Sequence, residues 1–399
     1  MDLTKLPKNL PLPDEAMLAH SQRVSAYLQN VIDQAGGGIP FEQFMQLALY
    51  APGLGYYSAG ARKFGEAGDF VTAPEISPLF SHCLALNIQQ VLNTIEGASI
   101  LEIGAGSGAM ACDILHILEQ QGTLPEYYYI LELSADLKAR QQACIEASLP
   151  HLMEKIQWLE QLPESGFRGV VVGNEVVDAM PVHLFRMEQA QRISEVYVEW
   201  QNDVFAYSYR EINNGVLFEA IEELKENLDP DTLYPGYVSE VNLQSRAWMK
   251  SLASMLERGV LLLIDYGFPS REYYHHDRSM GTLMCHYRHH SHENPLLLVG
   301  LQDITAHVDF SSLAASAQNA GMDLIGYTSQ ANFLLASGLD NVVAQSDPND
   351  IKRHLALVQQ VKKLVMPNEM GELFKAIGWA KNYSGNLLGF SQQNMCDRL

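Results

Sequence analysis

The segment Ser99-Ile-Leu-Glu-Ile-Gly-Ala-Gly-Ser-Gly-Ala109 constrains the fold of this chain more than any other stretch. A short apolar run carrying one acid, Glu102, meets a turn with Gly104, Gly106 and Gly108, and a helix-forming segment, Ala109 to Gln120, follows at once. This reads as a buried strand that ends in a tight turn and feeds the start of a helix. Glycine accepts the positive φ such a turn needs and lets a ligand lie against bare backbone. The helix start supplies N–H groups with no partner inside the helix. Two ligand classes compete for the turn. Gly104, Gly106 and Ala109 satisfy the dinucleotide fingerprint G-x-G-x-x-G/A, the mark of a nicotinamide dehydrogenase. Glu102 argues the other way, because a carboxylate there repels a pyrophosphate and suits a cationic amino group.

Around this turn strands and helices alternate from about residue 98 to 173. Tyr127–Glu132 reads as a second strand, with Ser134 capping a helix to Ala147. Lys155–Leu159 reads as a third strand. The unbroken apolar run Gly169-Val-Val-Val-Gly173 reads as a fourth, covered on both faces. That rhythm predicts a mostly parallel sheet with helices on both sides, an α/β fold. Residues 1–95 read as a mainly helical N-terminal segment, and 96–399 as the sheet domain. An antiparallel β insertion at about 184–240 shows in alternating runs such as Val196-Tyr-Val-Glu-Trp200. Leu243–Glu257 is predicted helical and Gly259–Asp265 a fifth strand. A long loop spans 266 to about 308, and Asp323–Tyr327 and Leu373–Trp379 are the last strands.

The chain has 399 residues, more than one hydrophobic core usually holds, and 47% of them are apolar. No run is long enough to span a membrane. The proline-broken N-terminus reads as no secretory signal. Five dispersed cysteines suggest reduced thiols. Together these predict a cytoplasmic protein. A net charge of −21 argues against non-specific nucleic-acid binding, which rests on Lys and Arg neutralising phosphates.

Ligands of open α/β sheets sit beyond the carboxyl ends of the strands, so those ends carry the candidate chemistry. The second strand ends at Glu132, 24 residues after Gly108, where an acid can take ribose hydroxyls. The fourth ends in Asn174-Glu-Val-Val-Asp-Ala-Met-Pro181. If it turns helically, Glu175 and Asp178 share a face and can grip a guanidinium, with Asn174 beside them. The fifth ends in Asp265-Tyr-Gly267. The loop behind it holds His275, His276, His286, His289, His290, His292 and His307. Their spacing does not match a zinc site, and no metal is expected. No G-x-S-x-G elbow supports a hydrolase triad.

Several segments together suggest a family: Phe44–Tyr57, Gly68–Phe80, the Glu102 turn, Asn174–Pro181, Ile264–Gly267 and Gln302–Phe310. The chain resembles the MidA-like class I S-adenosylmethionine-dependent methyltransferases over nearly its whole length. The resemblance implies a Rossmann-like sheet with an antiparallel last strand and S-adenosyl-L-methionine as cofactor. It places the cofactor at Glu102, Gly104, Ala105, Gly106, Gly108, Glu132, Leu133 and Asn174. Thr72, Pro74 and Glu75 would lie in a covering loop. Asn174 and Glu175 match its site after the fourth strand, and with Asp178, from the spacing above, they are the expected catalytic set. Mitochondrial members methylate protein arginine and assist assembly of respiratory complex I, so a protein substrate, such as a respiratory-chain subunit, is expected. A non-catalytic assembly factor that senses the cofactor is the alternative. A homodimer through the inserted hairpins is compatible with the sequence.

Overall fold

The computed structural model describes residues 7, 10–58, 72–344 and 350–399. The chain forms two compact units, one from Met1–Phe70, Val177–Arg246 and Phe268–His307, the other from Val71–Val176, Ala247–Gly267 and Val308–Leu399.

The second unit is built on β1 (Ser99–Ile103), β2 (Tyr128–Leu131), β3 (Ile156–Leu159), β4 (Phe167–Asn174), β5 (Leu256–Phe268), β6 (Asp323–Ser329) and β7 (Phe374–Lys381). Their order across the sheet is β6-β7-β5-β4-β1-β2-β3. Neighbours from β5 to β3 run parallel, while β7 is antiparallel to both β5 and β6. The expected parallel sheet with an antiparallel last strand is therefore present. The apolar runs of β4 and β5 are buried almost throughout, because helices cover both faces. Ile100, Ile130, Val172 and Leu262 share one core with Phe80, Leu84 and Leu115. Strand order reverses between β1 and β4, and a crevice opens at their carboxyl ends at such a switch point.

The grouping of residues 1–95 as one segment differs from the structure. The helix Pro78–Leu92 buries nine of its residues, so it belongs to the core of the sheet unit, and the division falls after Phe70. The predicted helix at 243–257 stops at Met255, where β5 begins.

In the first unit, Ile39–Pro40, Ile193–Gln201, His183–Met187 and Val238–Val241 form an antiparallel sheet in that order, with Val204–Ile212 paired to Ile193–Gln201. The helix Glu15–Gln34 starts where the Asp14 carboxylate accepts the Met17 N–H at 2.9 Å, and it buries Val24, Leu28 and Ile32 on one stripe. The loop expected over 266–308 instead holds a three-stranded antiparallel sheet, Met284–Tyr287, His290–His292 and Asp303–Thr305. Its hairpin turns through Arg288 and His289 at φ +48° and +62°. Two-residue hairpin turns usually announce themselves with Asn-Gly or Asp-Gly, and this one does not.

A buried carboxylate ties this segment to the first unit's sheet. Glu240 accepts the N–H groups of Thr282 and Leu283 at 2.7 and 3.0 Å and the Tyr273 hydroxyl at 3.1 Å. Burial pushes its pKa up, while those donors pull it back. Glu240→Ala removes the acceptor of the Thr282 and Leu283 N–H groups and of the Ser239 and Tyr273 hydroxyls, and unfolding by denaturant is expected to show a loss of about 3 kcal/mol. Unchanged stability would show that the segment is held elsewhere.

Candidate cofactor and methyl-transfer site

The chain leaves β1 through Gly104, Gly106 and Gly108 at φ +69°, +53° and +88°, and Gly108 caps α1 (Ala109–Gln120). A Cβ at Gly108 would lie 3.2 Å from the Cα of Gln141 in α2 (Ala135–Ser148), so the turn is pressed against that helix. Ala105 is buried within the turn.

Glu102 is buried in β1. Tyr128 donates its hydroxyl to one carboxylate oxygen at 2.6 Å, and the other, Oε1, is buried with no partner among the described residues. Burial raises its pKa to about 7, against the lowering hydrogen bond from Tyr128, and Glu132 adds to the rise. Glu132 ends β2. Its two oxygens accept the Ser134 N–H and the Gln141 amide, each at 2.9 Å. The same Gln141 amide group donates to the Gly106 carbonyl at 3.1 Å, and its oxygen accepts the Trp158 indole N–H at 3.0 Å. Gln141 thus locks the glycine turn to the acid at the end of β2. No sequence pattern announced it, because a buried glutamine at the seventh position of a helix looks like any other helix residue. Leu133, next along the chain, is 79% exposed, an apolar face turned outward beside Glu132.

At the end of β4, Asn174 donates to Glu175 Oε1 at 3.1 Å, while Asn174 Oδ1 is buried with no partner among the described residues. Glu175 takes φ +51° and donates its N–H to the Ile264 carbonyl at 2.9 Å. The Asp265 carboxylate accepts the Val176 N–H at 3.2 Å and pins the turn that follows. The helical turn expected for 174–181 is not formed, because a left-handed residue cannot continue a right-handed helix. Glu175 and Asp178 therefore do not share a helix face. Asp178 falls in the first unit, where its carbonyl accepts the Ala306 N–H at 2.9 Å. There Tyr57 donates to Asp303 at 2.8 Å, and burial, then Asp303, hold the Tyr57 hydroxyl well above its ordinary pKa, with Asp178 adding to the rise. Tyr57 and Asp303 stood in two of the family segments with no chemistry attached to them.

Thr72 and Pro74 begin the short helix Ala73–Ile76, and Glu75 within it accepts a hydrogen bond from Ser107 of the glycine turn. The preceding residues of the expected covering loop, 59–71, lie outside the described residues. Of the histidines in the 266–308 segment, His275 and His276 stand with Asp277 at metal-ligand spacing, and all three are exposed.

The donor set fits one cofactor class. Two neighbouring carboxylates, with Glu132 adding to the rise in the Glu102 pKa, disfavour a pyrophosphate. Glu102 Oε1 lacks a donor of the kind a cationic amino group would supply, and Leu133 presents an exposed apolar side chain. A sheet whose path of seven strands takes this order, with the short strand Val308–Asp309 as an eighth paired to β5, and an acid-flanked glycine turn define the class I methyltransferase architecture. The chain belongs to a family of S-adenosyl-L-methionine-dependent methyltransferases, whose profile matches residues 83–328.

Relatives agree. A Burkholderia thailandensis protein solved with S-adenosyl-homocysteine bound is 43% identical, covers 98% of this chain and 100% of its own, and superposes with a TM-score of 0.92. A native structure from the same organism is 42% identical, covers 98% and 100%, and has a TM-score of 0.89. The protein arginine methyltransferase NDUFAF7, mitochondrial, of Danio rerio is 27% identical over 86% of this chain and 83% of its own length. That of Homo sapiens is 27% identical over 85% and 79%. The chain is an S-adenosylmethionine-dependent methyltransferase, as the resemblance implied. The expected cytoplasmic location is overturned, since the curated relatives bear the label mitochondrial. Among the described residues no helix is long and apolar enough to cross a membrane.

A pH profile tests the role of Glu102. The carboxyl is neutral below about 7 and ionised above it. An amino cation prefers the ionised form, so cofactor affinity is expected to rise between about pH 6 and about pH 8. Glu102→Gln should flatten that rise in calorimetric titrations; a profile identical to the native one would place the amino group elsewhere.

Proposed function

We propose that the chain methylates an arginine side chain of a protein, with a respiratory-chain subunit as the acceptor that the family resemblance implies. The observation that carries this reading is Glu175, a non-glycine residue held at φ +51° at the switch point of the sheet. Such a conformation costs of order 1–3 kcal/mol, and strain of this kind clusters at functional sites. The curated relatives named protein arginine methyltransferases match over most of the chain, which supports the same substrate.

In this reading the cofactor, when bound, supplies a methyl group on a positively charged sulfur. Glu102 takes the amino group of its methionine part, Glu132 the ribose hydroxyls, and Leu133 packs on the base. Guanidinium has a pKa above about 12 and arrives charged. The Glu175 carboxylate accepts its N–H groups, which orients the side chain and draws positive charge away from the attacking nitrogen. Asn174 Oδ1 takes a further donor. The proton leaves after the new bond has formed, when the nitrogen is no longer basic, so no strong base is required. Most of the work is alignment, an effect that can reach about 7–11 kcal/mol.

The test is incubation with methyl-labelled S-adenosylmethionine and lysate of cells lacking the protein, followed by mass spectrometry of any labelled band. Methylarginine is the expected product. Label on another residue type, or on a small molecule, would overturn the arginine reading.

A further inference from the structure

Two of the five cysteines, distant in sequence, meet beside the cofactor turn. Cys112 lies one helical turn into α1, where its N–H donates to the Gly108 carbonyl at 3.1 Å. Cys144 lies on α2, three residues after Gln141. Their Sγ atoms are 3.7 Å apart. Cys112 is 8% exposed and Cys144 half-buried, so a small oxidant reaches Cys144 first. Ionising the deeper Cys112 costs more, so its S–H donates to Cys144 and pulls that thiol below the usual range. Burial pushes Cys83, Cys285 and Cys396 the other way. Cys144 is thus the cysteine with the most thiolate character at neutral pH.

We propose that Cys112 and Cys144 form a peroxide-oxidised dithiol whose closure to a disulfide weakens cofactor binding. The Cys144 thiolate attacks a peroxide oxygen, the O–O bond breaks, and Cys144 becomes a sulfenic acid as hydroxide leaves and takes a proton to become water. The Cys112 sulfur then attacks the Cys144 sulfur, the S–O bond breaks, and the Cys112 proton leaves with the hydroxyl as a second water. Each sulfur gives up one electron, and the peroxide is reduced by two. A dithiol reductant reverses the step.

The consequence follows from which helix moves. Closure draws the sulfurs to about 2.05 Å. α1 buries Met110, Ala111, Cys112, Ile114, Leu115 and Leu118, whereas α2 buries Leu137, Gln141 and Ile145. The less anchored α2 yields, and Gln141 moves with it. Its hydrogen bonds to Glu132 and the Gly106 carbonyl then lengthen, and the acid that takes the ribose loses its support. The proposal rests on the cofactor lying at this turn.

The experiment titrates S-adenosylhomocysteine into reduced protein, hydrogen peroxide-treated protein, and treated protein returned to dithiothreitol, with peptide mapping of each sample. Expected are a linked Cys112–Cys144 peptide after peroxide, affinity lower by about tenfold, the loss of one hydrogen bond to a charged group, and recovery on reduction. Cys144→Ser, and independently Cys112→Ser, should bind like the reduced protein and ignore peroxide. The proposal is overturned if no linked peptide forms, if it forms without a change in affinity, or if either variant loses affinity as the native chain does. Reduced protein that fails to bind S-adenosylhomocysteine would overturn the cofactor site itself, and the switch with it.

Discussion

Glu175→Gln is expected to leave S-adenosylmethionine affinity nearly unchanged and to slow methyl transfer by at least about a hundredfold, the loss typical of one oriented electrostatic group. The substitution keeps the size of the side chain and its hydrogen bond from Asn174, now to the glutamine oxygen, but removes the charge proposed to face a guanidinium. The left-handed backbone at this residue tolerates glutamine no worse than glutamate, so the fold has no reason to respond. Calorimetry with the cofactor and a labelled-transfer assay separate the two quantities. Full activity would remove Glu175 from the reaction. Lost affinity would move it to the cofactor.

Gly106→Val is expected to abolish cofactor binding, with affinity lower by more than about a hundredfold. The residue sits at φ +53°, which a β-branched side chain adopts only at a cost of about 1–2 kcal/mol or more. Relief of that strain rotates the peptide whose carbonyl takes the Gln141 amide, so the turn loses its tie to α2 as well. The new side chain would also stand where the cofactor must lie against bare backbone. Normal affinity in a folded variant would contradict the assignment of the turn.

The strand–turn–helix unit around Glu102 was legible because its signals are local. A strand, three glycines and a helix start follow one another in sequence, so Gly104, Gly106 and Gly108 declare a conformation, while the choice of ligand rested on Glu102 and on the family resemblance. Glu132 could be found because a second strand of known length must end near it. The helical turn considered for Asn174–Pro181 fails at one dihedral. Carboxylates three apart imply a shared helix face only where φ is negative, and Glu175 is left-handed because its N–H is drawn to Ile264 on the neighbouring strand. The sheet hidden in the 266–308 segment escaped for a related reason, since Arg288 and His289 make a turn that their residue types do not advertise.

Hydrophobic period and glycine placement were enough to dictate an α/β sheet, its parallel strands and the acid-flanked turn, because those features arise between residues that are neighbours along the chain. Contacts between distant segments settled the rest. Gln141 bridging Gly106 and Glu132, Glu240 gathering the 282–283 backbone, Tyr57 donating to Asp303 and the thiols of Cys112 and Cys144 at 3.7 Å all join groups whose pairing leaves no periodic trace. A buried polar group must find its partner wherever packing brings one, and sequence separation does not enter that requirement.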